Sequence, residues 1–381
     1  MKITSLFPSM NSNEPRSGGR EPAADLRTAK ISHRFTAAST AVLTAACLVL
    51  SARAADFEVQ NLDDAGPGSL RDAITQAEAT AGADVITFNP ALFASGPQII
   101  QLLTAGDMTE GNSAFGITTI VTIQGPVGAN GLTLQGPGDG GDLRHFYLST
   151  SADLTLENVT LADGNSAREG GAIWNDQEES ALLTIIHSTL RDNHSASHGG
   201  AVFGALTLID STLSNNSAVG SGGGVGTFAF NHSVEIIRST LSANYARADL
   251  NQSDPISARG GGLFAPNPTV IDSTISGNWS DGLGGGLFSR SAGFVVNTTI
   301  TGNRSDSDGN GFNAEPGDEG IIGGGLFADG IFISGDPPLE MHNTIVAGNY
   351  QGTGNIADDV WAFLSLPAAL TTSSAQVAQQ D

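Results

Sequence analysis

The stretch "IDSTISGNWSDGLGGGLFS" (271–289) occurs again with changes as "IDSTLSNNSAVGSGGGVGT" (209–227), and parts of it recur between 296 and 328. Each copy holds an S/T-T-L/I-x-x-N element, followed by a Gly-Gly element that precedes an aliphatic residue. The threonine of the first element recurs every 23 to 34 residues, at positions 189, 212, 240, 274 and 299. The chain is therefore built from copies of one repeat.

This repeat predicts an all-β fold, a right-handed parallel β-helix. The period is too short for a propeller blade and has no helical periodicity. Each copy holds two or three short β-type runs, such as "LTLID" and "STLS", so one copy forms one coil, and the coils stack about 4.8 Å apart. We expect the Gly-Gly pair and the Asn to form corners, with the Asn side chains hydrogen-bonded from coil to coil. Ser and Leu or Ile should point inward, and Thr outward.

Two copies carry longer polar segments, at 245–260 and 304–323. Both segments lie between the Asn corner and the Gly-Gly corner, so both should leave the same edge of the solenoid. Insertions on one edge of a repeat protein often form its binding face. This edge is therefore the first place to look for function.

Residues 1–54 have the features of an export signal with a long polar leader. Arg34 precedes an apolar run that ends in Ala52-Arg53-Ala54, and this A-x-A pattern predicts cleavage after Ala54. The run is too short, and too rich in Ala and Thr, for a permanent membrane span. We expect an exported protein, extracellular or on the cell surface.

The region after the signal predicts a cap on the first coil. Residues 55–90 indicate strand, helix and strand, with Ser69 as N-cap and Asp72 three positions on. A helix here would cover strand edges that otherwise invite aggregation. Residues 91–360 then form the β-helix, and 361–381 are expected to be a disordered or truncated tail.

The charge of the chain after residue 54 argues against binding to nucleic acid and other polyanions. The first 54 residues hold 7 of the 16 basic and 3 of the 39 acidic residues, so the remainder has a net charge of −27. Both lysines and the single cysteine, Cys47, lie in this leader. Such a surface repels nucleic acid, and it disfavours polyanionic ligands unless a cation bridges them.

Three motifs resemble known families. "GPGSLRDAI…GADVITF" resembles the N-terminal signature of secreted bacterial right-handed parallel β-helix proteins with a GSLR-A-I motif. The G-G-A-I and L-x-x-N pairs resemble the GGA[ILV]/FxxN repeats of chlamydial polymorphic outer membrane proteins, with Leu or Ile where those carry Phe. "NTIVAGN…ADDV" resembles the closing segment of β-helix proteins with a sorting anchor. The resemblance implies a surface or secreted protein with an adhesin-like role, and it brings no catalytic motif.

The residues before the S-T pairs form a candidate binding stripe on the outside of the solenoid. Its members vary from copy to copy and include His187, Asp210, Arg238, Asp272 and Asn297, with His342 expected in the last copy. Asp210 and Asp272 should lie two coils apart, about 9.6 Å, near the upper limit for an inverting glycosidase pair. Arg238 between them would lower both carboxyl pKa values, so a salt-bridged ladder is the alternative to catalysis.

The second insertion contains a candidate calcium loop. Asp306, Asp308 and Asn310, followed by Gly311, match the first half of an EF-hand-type loop, with Asp318 just beyond its twelfth position. No flanking helices are expected, so a solvated acidic loop is the alternative to Ca²⁺ binding. No other cofactor is implied.

These features leave two functional hypotheses. The first is a non-catalytic, monomeric surface or secreted protein that binds surface glycans or other envelope proteins, or has a structural role. The alternative is a polysaccharide lyase or glycoside hydrolase of the parallel β-helix type. An enzyme needs clustered carboxylates or an arginine beside a calcium site, whereas a binding protein needs a shallow polar face with paired charges.

Overall fold

The computed structural model describes residues 54–128, 131–175, 181–229, 233–248, 258–307, 323–329, 339–354, 356–362, 370–373 and 376–378. These residues hold one α-helix, Leu70–Glu78, and two short 3-10 helices, Pro90–Phe93 and Gly138–Gly140. Within the described ranges, no helix has the length and apolar character needed to cross a membrane.

The strands belong to four sheets, named A to D, and each is given in spatial order. Sheet A contains Asp56–Val59, Ala83–Phe88, Ile120–Gln124, Asp153–Glu157, Leu182–Ile186, Leu206–Ile209, Val234–Ile237, Pro268–Ile271, Gly293–Val296, Leu339–His342 and Leu370–Ser373. Sheet B contains Gln98–Gln101, Leu132–Gln135, Val159–Ala162, Thr189–Arg191, Thr212–Ser214, Thr240–Ser242, Thr274–Ser276, Thr299–Thr301, Ile345–Ala347 and Gln376–Ala378. Sheet C contains Ser113–Ile117, Arg144–Leu148, Ile173–Asn175, Val202–Phe203, Val225–Gly226, Leu263–Ala265, Leu287–Ser289, Leu326–Ala328 and Val360–Ala362. Sheet D contains Asn165–Ser166, His194–Ser195, Ser217–Val219, Tyr245–Arg247, Trp279–Ser280, Arg304–Ser305, Tyr350–Gln351 and Ile356–Ala357.

From residue 153 onward the chain visits sheets A, B, D and C in turn and then returns to sheet A. Strands pair in parallel with the strands one coil before and after, as Thr212–Ser214 does with Thr189–Arg191 and Thr240–Ser242. The fold is the right-handed parallel β-helix that the repeat predicts. Each such coil has four strands rather than two or three, because the sheet D strands, mostly of two residues, are too short to show an alternating pattern.

Backbone corners occupy fixed positions in each coil. One left-handed residue precedes the inward Ser, as Asp210 does at φ 49°, and a second precedes the Asn, as Asn215 does at φ 56°. The sequence predicts this conformation for the Asn itself. The structure instead places it one residue earlier, because the Asn side chain is needed inside the coil.

The inward asparagines form a continuous ladder through six coils. Each Nδ2 donates to the Oδ1 of the next asparagine at 2.8–2.9 Å and to a leucine or isoleucine carbonyl at 2.9–3.2 Å. The last rung ends on Oδ1 of Asp359 at 3.0 Å. The members are Asn193, Asn216, Asn244, Asn278, Asn303 and Asn349. Buried amides are stable here because each is satisfied by its neighbours.

The inward serines form a second ladder. The hydroxyl of Ser211 accepts the backbone N–H of Ser188 at 3.0 Å and donates to the carbonyl of Ile209 at 2.6 Å. Ser239 and Ser273 repeat this arrangement. The prediction that this serine points inward is confirmed, and the hydroxyl explains why serine occurs there.

The glycine corners are closed to larger residues by the neighbouring coil. A Cβ on Gly261 would lie 2.2 Å from the carbonyl oxygen of Trp279 and 2.4 Å from that of Gly285. Real Cβ atoms do not approach a backbone oxygen this closely, so packing against the next coil requires glycine at Gly261, within a corner that the sequence predicts.

The interior is a stack of aliphatic side chains, and the helix covers its first coil. Ile123, Leu156, Ile185 and Leu208 follow one another in register with 0 % exposure, and each such side chain contributes about 1.5–3 kcal/mol. Ser69 caps the helix as predicted, accepting the N–H of Asp72 at 3.2 Å.

The outer face of sheet C is aromatic, with Phe264, Phe288 and Phe327 buried and Trp174 and Phe228 half-buried. Ring centroids lie 4.8–6.3 Å apart along this face. Its aromatic members are Tyr147, Trp174, His198, Phe203, Phe228, Phe264, Phe288 and Phe327. This face is therefore a second, smaller apolar core and not an open surface.

Part of the expected tail, residues 361–381, continues the strand pairing. Strands Val360–Ala362, Leu370–Ser373 and Gln376–Ala378 pair in parallel with the last coil in sheets C, A and B. Backbone pairing thus continues beyond residue 360, because the exposed edges of that coil accept further strands.

Candidate functional site

The predicted outward stripe lies at the corner between sheets A and B. Its residues share left-handed backbone, with φ between 47° and 52° for His187, Asp210, Arg238, Asp272 and Asn297. The parallel register of the adjoining strands places them one coil apart. The structure therefore brings these five predicted residues together.

The charges within this stripe are paired. Arg238 donates to both carboxylate oxygens of Asp210, from Nε at 2.8 Å and from Nη2 at 2.7 Å. His187 Nε2 lies 3.7 Å from Asp210 on the other side. Asn297 Nδ2 donates to Asp272 at 2.9 Å.

These contacts determine what the stripe can do chemically. The hydrogen bonds from Arg238 hold the pKa of Asp210 below its ordinary value. A general acid needs the opposite shift. The corner stripe is therefore a polar ladder with an ion pair between Arg238 and Asp210 and a hydrogen bond from Asn297 to Asp272.

The last copy corrects one assignment. His342 was predicted to continue the stripe, but it pairs with Val296 inside sheet A. Asn343, with φ 48°, occupies the corner beside Asn297. Thr344 takes the inward position of this copy, and its hydroxyl accepts the N–H of Thr298 at 3.5 Å. The residue before it, Asn343, therefore lies at the corner.

Of the predicted calcium ligands, Asp308, Asn310 and Asp318 lie outside the described residues. Asp306 is 6 % exposed and lies at a corner with φ 47°. The described part of the chain contains no group of three or more His, Cys, Asp or Glu side chains able to hold a metal ion.

A second candidate surface, the sheet D column, was not predicted. It consists of the outward residues Tyr245, Trp279, Arg304 and Tyr350, which lie in register on successive coils. Trp279 is 52 % exposed and meets Tyr245 edge to face at 6.3 Å. Arg304 lies 5.6 Å from the ring centroid of Tyr350. This column presents aromatic surface interrupted by a cation.

One buried carboxylate fixes the column to the insertions. Asp281, 5 % exposed, accepts the hydroxyl of Tyr245 at 2.5 Å and that of Ser307 at 2.7 Å through Oδ1. Its Oδ2 accepts the N–H of Ala248 at 3.0 Å. Burial and the hydrogen bond to Asp281 raise the pKa of Tyr245 to about 12. The tyrosine therefore stays neutral and positioned at physiological pH.

Both long insertions begin at this surface. The first leaves sheet D after Arg247, and the second follows Ser305 in the strand two coils later. Ala248 and Ser307, which bind Asp281, are among the first residues of the two insertions. The prediction that both leave one edge of the solenoid is confirmed, and the sheet D column lies on that edge.

An open groove of about 360 Å³ lies elsewhere, on the outer face of sheet A. Leu182, Thr184, Thr207 and Ser233 are among the residues that line it. These side chains supply hydroxyl and aliphatic groups but no acid, base or nucleophile activated by one. The described residues that line the groove therefore form no catalytic constellation.

Comparisons with known proteins give structural neighbours only. The sequence matches no family model and no curated protein. It is similar to a solved structure titled pectate lyase Pel9A, with TM-score 0.35, 14 % identity and coverage of 86 % of this chain and 79 % of that one. A rhamnogalacturonan lyase has TM-score 0.35, 10 % identity and coverage of 85 % and 86 %. The A-module of Azotobacter vinelandii mannuronan C-5 epimerase AlgE6 has TM-score 0.31, 14 % identity and coverage of 86 % and 100 %. The fold assignment rests on this chain's own strand pairing.

Proposed function

We propose that the protein is an exported, non-catalytic β-helix that binds glycans through the sheet D column. The observation that carries this proposal is the exposed indole of Trp279 between Tyr245 and Arg304. Contiguous exposed aromatic surface, here formed by Trp279 in contact with Tyr245, marks interaction sites more often than single exposed side chains do. The corner stripe, with its ion pair between Arg238 and Asp210, is a polar surface on the other side of sheet B.

The chemistry of the column suits a sugar chain. Sugar rings present C–H faces that stack on aromatic rings, while their hydroxyl groups accept hydrogen bonds from a guanidinium group. Tyr245 and Tyr350 are three coils apart, about 14 Å, which is long enough for a short oligosaccharide. The buried Asp281 and Asp306 beside the column, and the acidic chain as a whole, favour a neutral glycan over an anionic one.

Export is part of this proposal. It is supported by the signal-like leader of residues 1–54. The partner would be a glycan on a cell surface or in the envelope, encountered outside the cytoplasm by a monomeric chain.

Glycan-affinity electrophoresis over a panel of neutral and acidic polysaccharides tests the proposal. We expect at least one neutral glycan to retard the protein. Trp279→Ala should bind that glycan about tenfold more weakly, since stacking of a ring on one aromatic side chain is worth about 1–3 kcal/mol. Phe294→Ala is the matched control, because Phe294 is 50 % exposed on sheet A, away from the column. Equal losses in both variants, or retention of full affinity in Trp279→Ala, would contradict the assignment.

Polysaccharide cleavage is the second candidate function. Asp281 and Asp306 each lie two residues beyond a paired column residue, Trp279 and Arg304, so two buried carboxylates occupy neighbouring coils beside the column. A pair of carboxylates is the basic requirement of a glycosidase. Against it, both oxygens of Asp281 already accept hydrogen bonds from the protein.

Release of reducing ends or unsaturated products across the same panel separates the two functions. We expect no turnover. Turnover that disappears in Asp281→Asn, while glycan retardation persists, would establish the catalytic function instead.

A further inference from the structure

A buried carboxylate heads the interior of the first coil. The strand Ala83–Phe88 turns alternate side chains inward, and the first of these is Asp84, followed by Ile86 and Phe88. Asp84 is 0 % exposed and is paired in register with Val121, which in turn is paired with Leu154. An acidic side chain thus occupies a column that is otherwise aliphatic at these positions.

The contacts of this carboxylate are incomplete. Oδ1 accepts the backbone N–H of Ala55 at 2.8 Å. Oδ2 is buried and receives no hydrogen bond from the described residues, and no salt bridge to Asp84 occurs among them. A buried carboxylate without a cation costs several kcal/mol. A positive charge beside Ala55 would remove that cost.

Two hydrogen bonds fix the backbone of Ala55 beside the Asp84 carboxylate. Its N–H binds Asp84 and its carbonyl oxygen accepts the N–H of Val85 at 2.9 Å. Ala54, immediately before it, is exposed. The peptide bond between them is the one that the A-x-A pattern predicts to be cleaved.

We propose that cleavage between Ala54 and Ala55 by a signal peptidase creates an α-ammonium group that forms a buried ion pair with Asp84. Hydrolysis consumes one water molecule, leaves a carboxylate on Ala54 and leaves the new amino group on Ala55. The ammonium group has three N–H donors, so it keeps the bond to Oδ1 and gains one to Oδ2. Processing therefore does more than remove a leader, because it completes the first coil of the β-helix.

The sequence offers a selective test of this ion pair. Both lysines, Lys2 and Lys30, precede the cleavage site, so the α-amino group is the only amine of the processed chain that an acetylating reagent can modify. The full chain is expressed with its leader in an exporting bacterial host, and the exported protein is analysed by intact mass and N-terminal sequencing. We expect a chain that begins at Ala55, with an amino group acetylated at least tenfold more slowly in the folded state than in denaturant. A different N-terminus, or equal rates, overturns the proposal.

A double-mutant cycle tests the partner. Acetylation in denaturant followed by refolding should lower the unfolding midpoint of the native sequence, but it should not lower that of Asp84→Asn. Asp56→Asn, at an exposed position one residue beyond Ala55, is the control and should respond like the native sequence. If Asp84→Asn does not fold, acetylation of the native sequence still tests the ion pair. An unfolding midpoint that acetylation leaves unchanged would refute it.

Discussion

Nδ2 of Asn244 donates a 2.9 Å hydrogen bond to Oδ1 of Asn278, one coil away, and a 3.1 Å bond to the carbonyl of Leu213. Oδ1 of Asn244 accepts in turn from the backbone N–H and the Nδ2 of Asn216. Each amide in this ladder therefore connects three coils through side chain and backbone. The ladder makes neighbouring coils dependent on one another for stability.

Substitution of a central rung should destabilise the whole solenoid. In Asn244→Ala, the Asn216 amide and the Leu213 carbonyl lose buried partners, and each such loss costs about 1–3 kcal/mol. Asn244→Ala should therefore unfold at a lower urea concentration than the native protein. Asn215→Gly is the control, since Asn215 is exposed and left-handed. If the urea midpoint falls as far in Asn215→Gly as in Asn244→Ala, the ladder has no specific role in stability.

Substitutions at Gly261 and Gly277, which lie at different corners of the coil, should have different effects on stability. Gly261→Ala forces a Cβ within 2.2 Å of the Trp279 carbonyl oxygen, whereas a Cβ on Gly277 meets nothing within 4 Å. Gly277 has φ 62° in the column that also holds Asn215. We expect Gly261→Ala to abolish soluble protein and Gly277→Asn to leave the melting temperature unchanged or higher, measured by circular dichroism.

The corner stripe should contribute little to stability at high salt. Arg238 holds an exposed ion pair with Asp210 but has φ 47°, which a residue with a long side chain adopts at a cost. Arg238→Asn removes the pair and relieves the backbone. We expect its melting temperature to match the native value at low salt and to exceed it at 1 M NaCl, where the pair is screened. A lower melting temperature at both salt concentrations would show that the pair is structurally required.

Acid should destabilise the protein through His145. This imidazole is 0 % exposed and its Nε2 lies 2.9 Å from the carbonyl oxygen of Leu134, and burial lowers its pKa to about 4 from 6.5. As the pH falls from 6.5 to 4, the unfolded chain binds a proton that the folded chain does not, so stability present at neutral pH is lost, up to about 3 kcal/mol.

The difference between native protein and His145→Gln isolates this contribution. Asp358 acts in the opposite direction, because burial raises its pKa to about 6 and its contribution to stability falls as the pH rises from about 4 to 6. The urea midpoint of the native protein minus that of the variant should therefore increase as the pH rises from 4 to 6.5, since Asp358 contributes equally to both. Parallel pH profiles would refute the assignment to His145.

The repeat predicts the coil and most of its interior from residue types alone. Ser211, Leu213 and Gly223 recur because each coil places the same demand on the same position, so alignment of the copies reveals them. The aromatic face of sheet C leaves a similar signal, since Trp174 and Phe203 directly follow the inward aliphatic residue of the glycine element. The sheet D column leaves a weaker signal, because Tyr245, Trp279, Arg304 and Tyr350 each follow a ladder asparagine but are not one residue type.

The sequence by itself determined the repeat, the sheet-forming positions, the glycine corners and the common edge of the two insertions, since these follow from steric and hydrogen-bonding demands that every coil repeats. Only the tertiary structure decided which varying residues meet. The register of the strands, across insertions of unequal length, brings Tyr245 beside Trp279. It also brings Asp281 into contact with Ala248 and Ser307, near the start of the two insertions. The pairing of Ala55 with Asp84 likewise joins residues 29 positions apart. Such contacts depend on the coil path between them, which residue types alone do not specify.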